Sequence, residues 1–290
     1  MPEITQEMLA LAGELHIPSE VLPPLEAAAE AIRWPELPIA ALSSPETAEN
    51  AWKEIEDILP LWNEDGGMAQ LAAVLAAACG TRRAYREAGV SDGIFLSTLG
   101  CLPRFLRETK ELTGRWVFDR GFWTWRQTGG LLFRLGALEF EYAPAEIPLP
   151  NGLSPEAMTL HVHIPSDAAL TREALDDSYA QARRFFRGEG AVFCTSGPPK
   201  AVLCDSWLLA PALDGLLPER SGIRRFAGDY RRFRVREEDQ SFYRWLFRRL
   251  EPVPAEELPE DTGLQRAAKA HLAAGGMIGM AWGILKEEIL

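Results

Sequence analysis

Residues Met158–Phe186 read MTLHVHIPSDAALTREALDDSYAQARRFF, and the change of period inside this stretch decides the fold. In MTLHVHIP (Met158–Pro165) polar and apolar residues alternate, so Leu160, Val162 and Ile164 share one face of a strand and His161 and His163 the other. A short connection, Pro165–Leu170, follows. From Thr171 to Phe186 the spacing becomes helical, with a threonine in the N-cap position and acids in the first turn, both favourable at a helix start.

Strands and helices continue to mix downstream. AVLCDSW (Ala201–Trp207) reads as a strand and LLAPALDGLL (Leu208–Leu217) holds a short helix. IRRFAGDYRRFRV (Ile223–Val235) reads as an extended segment or hairpin. Helices are expected around Ser241–Leu250 and Gly263–Leu272, and Met277–Leu285 suits a closing strand. Upstream, Gly129–Gly130 precedes LLFRLGALEFEY (Leu131–Tyr142), whose aromatic and aliphatic content, bounded by Pro144, predicts a strand.

Before about residue 115 the pattern is helical throughout. Apolar residues fall at helical spacing in Ile4–Leu15 and Pro18–Arg33, and Pro45–Glu46 signals a helix through Trp52, Ile55 and Leu59. After Gly66–Gly67 come long runs over Met68–Glu87 and Ser91–Leu112. The expected fold class is therefore α/β (α+β): a helical N-terminal domain over residues 1–115, then a mixed, mostly antiparallel sheet flanked by helices over 116–290.

Composition narrows the functions. The 290 residues are 47% hydrophobic and 25% charged, with a formal net charge of −12. Such a charge disfavours binding to nucleic acid or an anionic membrane, since both are polyanions. The cations are 25 arginines against five lysines; their planar forks suit phosphate or carboxylate, though a general preference for arginine gives the same count. Cys79, Cys101, Cys194 and Cys204 lie far apart, without the paired spacings of a zinc site or a disulfide framework. The acidic N-terminus lacks the features of a signal peptide, and the longest apolar run, Leu71–Cys79, is too short to cross a bilayer. A reducing cytoplasm is the expected compartment, and nothing here sets the oligomeric state.

Several segments, in order, carry a resemblance to a known family. They are GVSDGIFLSTLGCLPRF (Gly89–Phe105), GFWTWRQTGGLLFRLGALEFEY (Gly121–Tyr142), LHVHIP (Leu160–Pro165), SYAQARRFF (Ser178–Phe186), CDSWLL (Cys204–Leu209) and LLPERSGIRRF (Leu216–Phe226). The chain resembles the N-acyltransferases that join an N-terminal helical domain to a GNAT-like C-terminal domain. The resemblance implies two parallel strands, Met158–Pro165 and Ala201–Trp207, that splay apart to admit an acyl-CoA such as acetyl-CoA. It implies acyl transfer to an amine of a small molecule or peptide, with Ile164, Ser166, Thr171 and Cys204 around the cofactor. One feature departs from the family pattern. The Gly-rich turn that holds the pyrophosphate in such enzymes is here PSDAAL (Pro165–Leu170), without glycine.

Candidate chemistry centres on the two strand histidines. His161 and His163 share a face, as do Glu139 and Glu141 on the preceding strand; if the faces coincide they form a patch of imidazoles and carboxylates. An ammonium must lose a proton before attacking a thioester, and a histidine, or a carboxylate acting through water, suits that task. A solvated outer face of an antiparallel sheet accounts for the same pattern. Ser206 and Asp205 could hydrogen-bond a substrate or orient a histidine. Ser206 sits in no G-x-S-x-G motif, and Cys204 suits a small buried hydrophobe better than a nucleophile. His-x-His with carboxylates also suits zinc or iron, but no third histidine lies at a useful spacing, so no metal is expected. Arg224–Arg249 holds nine arginines against four acids, interleaved with aromatics; a cofactor's phosphates or plain solvation both account for it. GGMIGMAWG (Gly275–Gly283) lacks the helix that a dinucleotide fingerprint requires, so its glycines suit a bulge or close packing. The alternatives to an acyltransferase are a non-catalytic metabolite or CoA sensor on the same fold, which the glycine-free turn favours, and a metal-dependent hydrolase.

Overall fold

The computed structural model of the chain describes residues 3–286. They divide into two compact units. The first runs up to Arg134 and also takes in Gly188–Thr195; the second comprises Leu135–Arg187 and the chain from Ser196 onward.

The first unit is helical: α1 Glu3–Glu14, α2 Leu22–Ala31, α3 Ala48–Ile58, α4 Trp62–Asp65, α5 Met68–Glu87, α6 Asp92–Leu99, α7 Cys101–Thr113 and α8 Gly121–Thr128. Every residue of α5 from Met68 to Ala78 is buried. A helix apolar all round must be enclosed, and α1, α2 and α8 pack around this one. The Asp65 carboxylate starts it, accepting from the backbone N–H groups of Gly67 and Ala69 at 2.7 and 2.8 Å. The run expected over Ser91–Leu112 is two helices. Pro103 has no N–H to donate to the preceding turn, so the chain breaks at Gly100 between α6 and α7. The sequence pattern changes near residue 115, but α8 packs on α3 and α5, and the helical unit therefore continues to Arg134.

The strand β1, Leu132–Leu135, closes the first unit and opens the second. There follow β2 Leu138–Pro144, β3 Met158–His163, α9 Arg172–Arg187, β4 Val202–Ser206, α10 Leu213–Leu216, α11 Gly222–Gly228, β5 Tyr230–Arg236, α12 Phe242–Leu246, α13 Gly263–Ala273 and β6 Met280–Leu285. The expected single strand over Leu131–Tyr142 is thus two, because Gly136, at φ +70°, turns the chain between them. The expected extended segment Ile223–Val235 begins instead as α11. Ser221 caps it by accepting from the Ile223 N–H, and the strand starts only at Tyr230.

Within the second unit the strands lie in the order β2-β3-β4-β6-β5. β3 and β4 are parallel, and the other neighbours are antiparallel. The helix α9 turns Leu175, Tyr179, Ala182 and Phe185 inward at helical spacing. Burying each such side chain contributes about 1.5–3 kcal/mol. Ser178 fixes the helix to the turn after β1: its hydroxyl donates to the Leu135 carbonyl and accepts from the Leu138 N–H. The loop after β2 puts Ala145 and Leu149 in a cluster with Leu203 and Trp282. In the last strand Gly283 serves close packing, as a Cβ there would stand 2.8 Å from the Tyr230 Cβ. Among the described residues no helix is long and apolar enough to cross a membrane.

Candidate active site

The antiparallel register of β2 and β3 sets Glu139 opposite His163 and Glu141 opposite His161. Paired residues of neighbouring strands project to the same side, so both imidazoles and both carboxylates share one face. On the other flank of β3, His161 stands level with Leu203 of β4. Asp205, two residues further, joins the same face. Its partner on β6 is Trp282.

The parallel ladder of β3 and β4 is short. It consists of Leu160 with Val202 and His161 with Leu203, and ends there. Both strands run on, β3 through His163 and β4 through Ser206, where β4 remains paired only with β6. The opening therefore begins at the carboxyl ends of two parallel strands, beside His163. Pro165 cannot donate to a ladder and the chain leaves the sheet at that point.

The two histidines have different surroundings. The His161 Nε2 donates to the Pro144 carbonyl at 2.9 Å, and its ring meets the Trp282 indole edge-on at a centroid separation of 5.9 Å. It is 6% exposed and satisfied by its neighbours. His163 bonds through Nε2 to the Glu141 Oε2 at 2.7 Å, with 24% of its side chain exposed against 12% for Glu141. An ionised carboxylate only accepts, so Nε2 carries the proton and Nδ1 is the nitrogen with a lone pair in the neutral ring. Burial pushes the His163 pKa down, but the Glu141 hydrogen bond and the charges of Glu141, Glu139 and Asp205 together hold it above its ordinary value. Burial raises the Asp205 carboxyl, partly opposed by His163 and His161.

The remaining residues singled out in the sequence lie apart from this pair. Strand alternation puts Cys204 and Ser206 on the sheet face opposite the histidines. Cys204 is fully buried, and burial drives its thiol far above the ordinary range, which leaves no thiolate to act as nucleophile. The Ser206 hydroxyl accepts from the Leu208 N–H at 3.1 Å and caps the single turn Trp207–Leu209. Ile164 is half-buried and Ser166 exposed in the segment that continues β3, while the Thr171 hydroxyl caps α9 by accepting from the Ala174 N–H. The turn between them closes with the Ala168 N–H donating to the Pro165 carbonyl. Among the described residues no group of three or more His, Cys, Asp or Glu side chains is arranged to hold a metal ion. Trp282 was not singled out in the sequence; the alternation in MAWGIL, which sets Trp282 and Ile284 on one face, was its only signal.

Residues 1–130 match the model of an N-acyltransferase N-terminal domain, and residues 132–285 match that of a GNAT-like C-terminal domain. The chain belongs to this N-acyltransferase family. Three solved structures of similar fold bear on it. An acyltransferase in complex with decanoyl-CoA and teicoplanin is 24% identical over 97% of this chain and 87% of its own, with a TM-score of 0.74. An acyltransferase mutant in complex with octanoyl-CoA is 24% identical over 98% and 88%, with a TM-score of 0.76. An acyltransferase in complex with CoA and 10C-teicoplanin is 25% identical over 96% and 86%, with a TM-score of 0.74. No curated protein matches the chain. Within this family fold, the splayed seam of β3 and β4 and the His163–Glu141 pair occupy the same end of the sheet.

Proposed function

We propose that the protein transfers an acyl group from acyl-CoA to an amine of a small molecule or peptide, with His163 as general base. The observation that carries this is the position of the His163–Glu141 pair where the β3–β4 ladder ends. Family membership and the acyl-CoA ligands of the similar structures support the cofactor class.

The amine arrives as an ammonium ion, and the face that carries Glu139, Glu141 and Asp205 favours a cation. Neutral His163 takes its proton at Nδ1, directly or through one water, while Glu141 stabilises the imidazolium. The amine nitrogen then attacks the thioester carbonyl carbon. Its oxygen gathers negative charge, and backbone N–H groups of β3 beyond the last ladder pair are placed to polarise it. The C–S bond breaks, CoA leaves as the thiol after taking up a proton, and an amide remains. His161 serves as a positioning residue through Pro144 and Trp282, and Glu139 is the second carboxylate tuning His163. Ser206 supports the turn after β4, Cys204 packs behind the cofactor strand, and Ile164, Ser166 and Thr171 frame the turn at its edge.

Calorimetry with CoA and with acyl-CoAs from acetyl to decanoyl tests the cofactor, and mass spectrometry of amine panels tests turnover. The expected result is micromolar to millimolar binding with amide formation and CoA release. No detectable heat at millimolar ligand would refute the proposal. A second reading, a CoA or metabolite sensor, is favoured by the glycine-free turn Pro165–Leu170; binding without product across the panel would select it.

A further inference from the structure

A second concave feature of the sheet unit lies away from the histidine face, in a cavity of about 440 Å³ walled by α10, α11, β5 and Lys286. It is cationic in a chain of net charge −12. Arg232 presents both terminal nitrogens to Asp214, at 2.6 and 2.9 Å, so the only carboxylate in the wall is already neutralised in a fork-to-fork pair. Arg224, Arg231 and Lys286 remain. Arg224 donates to the Leu217 carbonyl and Lys286 to the Gly228 carbonyl, but neither those two nor Arg231 forms an ion pair with a carboxylate among the described residues. The buried Nε of Arg232 has no acceptor. Asp229, the nearest acid in sequence, is taken by Arg172 at 2.8 Å and by the Tyr179 hydroxyl at 3.2 Å.

Three uncompensated cations around one hollow repel each other, and a chain with 42 acidic residues had ample means to pair them. An anion placed among them would relieve that repulsion and accept from guanidinium groups whose planar donors match its oxygens. A cavity of this size is within the range of small-molecule pockets. We infer that this pocket binds a phosphate monoester, through Arg224, Arg231 and Lys286. The ester has two sources: the 3′-phosphate of CoA, which alone rests on the acyl-transfer reading, or a separate phosphorylated metabolite.

The test uses the full-length protein and the variants Arg231→Ala and Arg224→Ala, with CoA, 3′-dephospho-CoA and inorganic phosphate as probes. Arg231 is exposed, so its loss leaves the core untouched. If the cofactor is the source, calorimetry gives roughly tenfold or tighter binding for CoA over 3′-dephospho-CoA, since a charge-assisted contact has about that weight. That preference then falls to within about twofold in either variant. If a separate ester is the source, the two cofactors bind alike, and millimolar phosphate raises the melting temperature of the wild type but not of the variants. Equal responses of wild type and variants to all three probes would overturn the inference. Failure of CoA to bind in any form would remove the acyl-transfer reading alone, because the phosphate arm still decides the pocket.

Discussion

Replacing Glu141 by Gln keeps the shape of the side chain and removes its charge from His163, which makes it the sharpest probe of the proposed base. The contact is 2.7 Å long and Glu141 is largely buried, so solvent screens it little. A hydrogen bond to a charged group is worth about 1.5–3 kcal/mol, and losing that support for the imidazolium predicts a fall in kcat/KM of about 10- to 150-fold. The pH profile carries the more decisive sign. In the wild type the His163 pKa lies above its ordinary value, because Glu141, Glu139 and Asp205 outweigh burial. The neutral base therefore appears only as pH rises through that elevated value, and activity rises with it. In the variant burial becomes the leading influence, and the acid limb of the profile moves to lower pH. Stability follows by linkage: a histidine with a raised folded pKa contributes stability that is fully present below about pH 6.5, its unfolded value, and lost as pH rises through the folded one. Urea unfolding should thus find the variant more destabilised relative to wild type at pH 5.5 than at pH 8.5. The profile is read from thiol release against acyl-CoA concentration at each pH. An acid limb that stays in place, or moves upward, would refute the assignment of His163 as a base tuned by Glu141.

Three further outcomes follow from the same coordinates. His163→Ala should lower kcat/KM by about 10²- to 10⁴-fold, the usual weight of a general base, while the thermal midpoint changes little; near-normal turnover would remove His163 from the mechanism. Ser178→Ala leaves the Leu135 carbonyl and the Leu138 N–H without their buried partner, and chemical denaturation should show a loss of about 1–3 kcal/mol. Gly283→Ala drives a methyl to within 2.8 Å of the Tyr230 Cβ, so overpacking should cost about 1–3 kcal/mol by the same measurement, and an unchanged midpoint would mean that the β5–β6 contact yields.

The sequence made the elements legible where one period ran uninterrupted. Met68–Glu87 reads as a helix and is one, and the strand–turn–helix of Met158–Phe186 holds with small shifts at its ends. Legibility failed where a single residue overruled the surrounding pattern. Gly136 folds one apparent strand into two, Pro103 cuts a helical run, and Ser221 starts a helix in what reads as a strand. For the site, alternation alone gave the shared face of His161 and His163 and that of Glu139 and Glu141. It could not give the register that sets those faces side by side, because no local signal fixes which residue of β2 stands opposite which of β3. Nor could it separate the two histidines. Their difference comes from the Pro144 carbonyl, 17 residues before His161, and from Trp282 on a strand 121 positions later.

The sign of the charge around His163 connects this geometry to the choice of acceptor. Glu139, Glu141 and Asp205 surround an imidazole that is itself cationic when it has taken a proton. A neutral nucleophile gains nothing from three carboxylates, and an anionic one is repelled, whereas an ammonium ion is drawn in and its proton is then passed to a histidine those same carboxylates make more basic. The arrangement therefore discriminates at two steps, capture and deprotonation, by one electrostatic cause. Isosteric alcohol and amine acceptors separate this account from simple shape selection: kcat/KM should favour the amine, and Asp205→Asn should narrow the margin without abolishing turnover. An unchanged margin in that variant would mean that the pocket's shape, and not its charge, selects the amine.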